Sequence, residues 1–234
     1  MAAALTAPLF ADDATPPLKP WSDKAEVSLV STNGNSKGTT TSIKNLLAYA
    51  WNEITRLEVA GGGLGSQNNH QVTAENYNAS EKYTLKLVGK NYAFERFGWD
   101  KDRFAGIQNR YDSSAGLGRL LLDLPNDKLH TELGGGYVGQ EFTDGLHDNY
   151  ASGRAYAKYE HALSASSSFT QDAEYIHNFK DSKGYRLNTE TALTAALSTH
   201  LSLKASFVWK RNGLPPPGVV KDDTITSMAL VVNY

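Results

Sequence analysis

From Trp21 onward the chain alternates apolar and polar residues, and the alternation returns at a nearly constant step to the end of the sequence. A period of two is strand geometry, because successive side chains of a strand point to opposite faces. Residues 201–210 show it most plainly. Leu201, Leu203, Ala205, Phe207 and Trp209 share one face, and Ser202, Lys204, Ser206 and Lys210 the other, with Val208 the exception. The same division separates Ala25, Val27 and Leu29 from Lys24, Glu26 and Ser28. It also separates Tyr83, Leu85 and Leu87 from Lys82, Thr84 and Lys86.

Twelve such segments begin near residues 21, 39, 55, 76, 91, 109, 128, 149, 166, 184, 201 and 223. Their mean step, about 18 residues, accommodates one strand of roughly 9–11 residues and a connection. The connections alternate in length. Short turns are expected near 51–52, 89–91, 125–127, 162–166 and 198–200, and longer polar loops at 32–38, 66–75, 100–108, 143–149, 180–184 and 212–222. Short turns on one side and long loops on the other are the habit of outer-membrane barrels, and an even strand number puts both chain ends on the short-turn side.

Composition narrows the alternatives. Leu, Ile, Val and Phe make up only about a fifth of the 234 residues, little for a soluble core of this length. The net charge of −2 argues against disorder and against a nucleic-acid partner. With no Cys, disulfides, thiol nucleophiles and cysteine-ligated metals are excluded. No apolar run is long enough for a transmembrane helix, which leaves barrel strands open, since they never raise a hydropathy plot.

A membrane-spanning sheet must close, because an open edge in lipid leaves backbone groups unpaired. Aromatic residues near strand ends, among them Trp21, Tyr49, Trp51, Tyr77, Tyr137, Tyr159, Tyr175, Tyr185, Trp209 and Tyr234, suggest interfacial girdles. Periodicity does not say which face points outward, so a soluble β-sandwich or barrel remains the bland alternative. The expected fold is therefore all-β: a transmembrane, up-and-down antiparallel β-barrel of about twelve strands over residues 21–234. Residues 1–11 read as the remnant of a signal peptide, and the Pro-rich residues 12–20 as a periplasmic linker. The last strand carries Met228, Leu230, Val232 and Tyr234 on one face and ends on an aromatic, as the strand signal read by the outer-membrane assembly machinery does.

Several of these elements, in order, resemble one family. A short first strand runs into Gly34-Asn35 and a Ser/Thr-rich second strand. Asp102-Arg103-Phe104 follows, then Gly106, Arg110 and Gly116-Leu117-Gly118, and finally the aromatic terminus. This order is similar to that of the salt-induced outer-membrane proteins (YdiY-like), whose domain has no assigned activity. The resemblance covers residues 21–234 and implies the outer membrane of Gram-negative bacteria, reached through the periplasm, and a tie to salt or osmotic stress. Two features depart from the pattern: Leu120-Leu121-Leu122 breaks the alternation, and Asn45 sits on an apolar face.

Candidate chemistry is sparse. Gly134 to Gly139 matches G-x-G-x-x-G but lacks a following helix, so it reads as close strand packing. His130 and Glu132 share a face without a visible third metal ligand. Asp144, His147 and Asp148 could hold a cation or lipopolysaccharide phosphates through one, although such loops are usually just solvated. Glu174, His177 and Ser182 could serve an outer-membrane lipid hydrolase, but Glu174 and His177 differ in parity and point to opposite faces.

The polar face carries the main expectation. Lys24, Lys44, Arg56, Lys82, Lys86, Arg110, Arg154, Lys158, Arg186, Lys204 and Lys210 would line the lumen, opposed by Glu26, Glu58, Asp112, Glu160, Asp172, Glu174 and Glu190. Such an interior either biases ion passage or fills the barrel with paired charges. The expected role is a passive pore or envelope-integrity protein, with an outer-membrane enzyme on lipid A or phospholipid, or a secreted ligand-binding β-protein, as alternatives. Neither a cofactor nor a metal is expected. The expected partners are outer-membrane lipids, lipopolysaccharide, the assembly machinery and small ions or solutes. Glu81 and Gln171 fall on apolar faces; a charge at mid-membrane is costly, so either Glu81 lies near the outer rim or a bulge shifts the phase there.

Overall fold

The structure is a computed structural model that describes residues 20–35, 38–68 and 71–234. The signal-peptide reading and nearly all of the linker reading lie outside the described residues. Twelve strands follow in order: β1 (Trp21–Asn33), β2 (Gly38–Ala50), β3 (Thr55–Asn68), β4 (Gln71–Lys86), β5 (Asn91–Asp102), β6 (Ile107–Asp123), β7 (Asp127–Phe142), β8 (His147–Ser164), β9 (Ser167–Asn178), β10 (Arg186–Ala196), β11 (Leu201–Asn212) and β12 (Asp222–Asn233). Each pairs antiparallel with its neighbours in sequence, and β1 pairs with β12 to close the barrel. Closure includes the chain end: Tyr234 N donates to Asp23 O at 2.9 Å.

Exposure decides which face is which. Val27 and Leu29 are 51% and 66% exposed, whereas Glu26 and Ser28 between them are 1% and 3%. The same inversion runs through β11, where Ser202, Lys204 and Ser206 are buried and Phe207 is exposed. Apolar side chains cover the outside and polar ones fill the inside, the reverse of a soluble barrel and the arrangement a bilayer requires. The sandwich alternative fails with it: among the described residues no second sheet covers the apolar face. Aromatic side chains meet near the short-turn end (Tyr49–Trp51 centroids 5.2 Å apart) and again toward the long-loop end (Tyr175–Tyr185, 5.8 Å).

Three expectations need correction. The loop at 66–75 is nearly all zipped into strand, and those at 100–108 and 143–149 are zipped in part. β3 runs to Asn68 and β4 starts at Gln71; β5 reaches Asp102, and β8 begins at His147. Polar residues can continue a ladder past the bilayer as readily as they form a loop, because either way their backbone groups are paired. Only the connections after β9 and β11 remain long. The departure at Leu120-Leu121-Leu122 is a register shift between Leu120 and Leu122 against β7, so the broken alternation marks a bulge.

The third correction concerns Glu81. It is exposed on the outer face, in phase, and pairs across the ladder with Val59 and Phe97. On β4 it lies between the outward aromatics Tyr83 and Tyr77, two and four residues away. It therefore stands one outward step from Tyr83, which meets Trp51 near the short-turn end with centroids 6.2 Å apart. Gln171, by contrast, accepts from Thr191 Oγ1 at 2.5 Å, so that outward amide is satisfied within the barrel. Asn45, the other polar departure, donates to Asp23 Oδ1 at 2.7 Å.

Candidate functional site

The inward positions of β4 to β9 form a plug. Lys82 on β4 and Arg154 on β8 both reach Glu132 on β7, Arg154 at 2.7 Å. Arg154 also holds Glu174 on β9 at 2.7 Å, and Tyr92 Oη donates to Glu132 at 3.0 Å. Rings close the gaps between these charges: the Arg154 guanidinium lies 5.4 Å from the centroid of Phe94 and 5.1 Å from that of Tyr156. Glu132 is 1% exposed, so the carboxylate itself is shut off from water. A buried carboxylate is tolerable only with such complete pairing.

Further pairs extend the plug. Arg96 binds Asp112 between β5 and β6, and Arg110 reaches Asp100 at 3.5 Å and Gln140 Oε1 at 3.0 Å. Lys158 meets Glu160 at 2.8 Å, Arg56 meets Glu58 at 3.0 Å, and Lys204 bridges Glu190 at 2.6 Å and Glu26 at 3.5 Å. Arg186 is buried, Lys24 and Asp172 are half-buried, and Lys86 is exposed at the short-turn end of β4. Three buried charged groups were absent from the sequence-based lining: Arg96, Asp100 and Glu132. Arg96 and Asp100 hide because β5 carries Tyr92 and Phe94 inward and Glu95 outward, so its faces do not separate by hydropathy.

Glycine makes the inward rings possible. A Cβ on Gly118 would stand 2.2 Å from the Tyr92 ring, and one on Gly134 would stand 3.0 Å from Phe94. The G-x-G-x-x-G match at Gly134 thus serves close packing, with no nucleotide site. Gly118→Val is expected to destabilise the barrel by about 1–3 kcal/mol through overpacking. Urea titration in lipid vesicles should show the loss as a lower unfolding midpoint; an unchanged midpoint would mean that Tyr92 can leave its seat freely.

The opposite side of the barrel is emptier. A cavity of about 40 Å³ is lined by Val30, Ser42, Lys44, Asn78, Lys210 and Ser227, among others, on β1–β4, β11 and β12. A second of about 60 Å³ opens at the long-loop end, with Arg110, Arg186, Lys210, Arg211 and Lys221 facing Asp100, Asp102 and Asp223 in its lining. Lys210 lines both. Each has room for a few waters. Among the described residues neither Lys44 nor Lys210 makes an ion pair, in contrast to the cations of the plug.

The other candidates separate. Glu174 is inside with Arg154, while His177 packs outward, edge-on to Phe179 with centroids 5.1 Å apart, and Ser182 lies in the turn between β9 and β10. No nucleophile–base contact forms among them. Asp144 accepts from Leu146 N at 2.9 Å, and Asp148 is taken by Lys180, whose ammonium it holds above the usual range. His130 is buried inside, 4.0 Å from Glu160. Among the described residues no group of three or more His, Asp or Glu could hold a metal ion. Met228, Leu230 and Tyr234 are exposed on the outer face of the closing strand, and Val232 is half-buried there.

Solved structures of similar fold include porins. The NanC porin superposes with a TM-score of 0.61 at 8% identity, covering 89% of this chain and 98% of that one. The KdgM porin in complex with disordered oligogalacturonate gives 0.50 at 8% identity over 90% and 99%. In sequence the chain is 25% identical over 205 residues to the uncharacterized protein YdiY of Escherichia coli (strain K12), covering 88% of this chain and 79% of YdiY. Residues 25–234, nearly every strand of the barrel, match one family model, and the chain belongs to that family, described as a protein of unknown function, DUF481.

Proposed function

We propose that the protein is a passive outer-membrane conduit, too narrow for bulky solutes, that prefers small anions. The observation that carries this reading is the asymmetry of the interior. The cations of the plug sit in direct ion pairs, whereas Lys44 and Lys210, on the emptier wall, make none among the described residues, although Glu26 and Asp223 stand opposite them on the ladder. Cations held in no ion pair along a water-filled path raise the local concentration of anions. The NanC and KdgM porins share the fold, and KdgM was solved with oligogalacturonate, a polyanion. In this reading the two long connections face outward, the short turns face the periplasm, and Met228, Leu230, Val232 and Tyr234 form the strand read during assembly. The tie to salt or osmotic stress comes from the resemblance to salt-induced outer-membrane proteins, and a narrow ion path suits it.

The test is reversal potential in planar bilayers under a potassium chloride gradient. The wild-type barrel should conduct in steps far smaller than those of an open porin and favour chloride. Lys44→Glu combined with Lys210→Glu should shift the preference toward potassium. A cation preference in the wild type, or a double variant with unchanged selectivity, would end the proposal.

A further inference from the structure

At the long-loop end the connection between β11 and β12 runs as a strap. Residues 213–220 carry no charge and hold three successive prolines, Pro215, Pro216 and Pro217, which fix φ and stiffen the run. Pro216 and Val219 rest on the turn between β5 and β6: a Cβ on Gly106 would stand 3.0 Å from Pro216 Cγ and 3.5 Å from Val219 Cγ2. The strand order places that turn half-way round the closed ring from the β11–β12 corner, so the strap crosses the width of the mouth. Thr143 N donates to Gly106 O at 3.0 Å and ties this seat to the next hairpin. Ile107, beside the seat, is 1% exposed and lines the mouth cavity together with Val219, Val220 and Lys221.

A latch holds the returning end. Val220 N donates to Asn35 Oδ1 at 2.7 Å and Asn35 Nδ2 donates to Val220 O at 3.1 Å, so the amide pairs with the strap as a neighbouring strand would. Asn35 Nδ2 also donates to Asp223 Oδ2 at 2.9 Å, and Asn35 N to Asp223 Oδ1 at 2.6 Å. Gly34 makes room for that carboxylate, since a Cβ there would stand 2.2 Å from Asp223 Oδ1. The other end is fixed by Gly213 N, which donates to Tyr185 O at 2.8 Å.

We propose that residues 213–220 are a cover over the long-loop mouth, held down by the Asn35 latch, and that lifting it admits solutes to the cavity beneath. The strap is a stiff run bounded by Gly213 and Gly218, the form of a flap that moves as a unit. Both bonds between Asn35 and Val220 are exposed to solvent, where local opening costs least. That the cover limits current rests on the conduit reading; that it closes the mouth does not.

The chain has no Cys, so Ile107→Cys reports the covered wall directly. In purified barrels this thiol should react slowly with a water-soluble maleimide. Adding Asn35→Ala, which removes the side-chain bonds to Val220 and Asp223, should speed labelling about tenfold. Replacing residues 213–220 by the dipeptide Asn-Gly should speed it further. Such a turn suits this hairpin, because Asn212 N already donates to Lys221 O at 2.8 Å. All these barrels should keep heat-modifiable migration. In planar bilayers the strapless barrel should pass more current at unchanged ion preference, since no charge is removed. A folded strapless barrel that labels at the parental rate would overturn the proposal, and so would a folded Asn35→Ala barrel that labels no faster. Faster labelling with unchanged current would uphold the cover and count against the conduit.

Discussion

Leu133→Arg is expected to lose most of its folded, heat-modifiable form when refolded into lipid vesicles. Leu133 is 70% exposed on the outer face of β7, four residues from Tyr137 and flanked across the ladder by Leu117 and Ala155. An arginine near mid-membrane costs roughly 2–4 kcal/mol, falling toward zero at the interfaces. Lys86→Glu is the matched control: Lys86 is exposed at the short-turn end of β4, and surface changes of that kind stay within about 0.5 kcal/mol. Lys204 is the wrong control despite its inward position, since Lys204→Glu would gather three carboxylates where Lys204 now bridges Glu26 and Glu190. Comparable losses for Leu133→Arg and Lys86→Glu would mean that inside and outside are reversed.

Arg154→Ala is expected to have the second large effect, and it acts on stability and permeation together. The variant strips Glu132 and Glu174 of their shared guanidinium and removes the cation packed on Phe94 and Tyr156. Breaking a buried pair from one side costs about 3–5 kcal/mol, because the remaining charge is left without compensation. It also opens the narrowest layer, so single-channel conductance should rise several-fold over wild type. Removing both sides of the contact, Arg154→Ala with Glu132→Gln, should recover part of the stability while keeping the higher conductance. A single variant that is as stable and as poorly conducting as wild type would show that the plug neither holds the barrel together nor blocks it.

Much of the scaffold was legible in the residues. Residues 24–30 of β1 and 201–210 of β11 divide into a greasy and a polar face with only Val30 and Val208 out of place, and the three consecutive leucines at 120–122 mark a bulge by breaking the alternation. β5 was legible as a strand but not in orientation. Tyr92 and Phe94 point inward because Gly118 and Gly134 leave room for them on β6 and β7, a complementarity spread over three strands. The loops were overestimated because polar sequence is as compatible with a ladder in water as with a turn.

Strand count, alternation and the two chemically distinct faces belong to the sequence, because side-chain alternation is a property of the local backbone and needs no distant partner. Which face turned outward, which charges met, and which were left unmatched were decided only on closure. Lys204 reaches Glu26 across 178 residues because β12 lies between their strands, and that neighbour relation exists only once the first strand has joined the last.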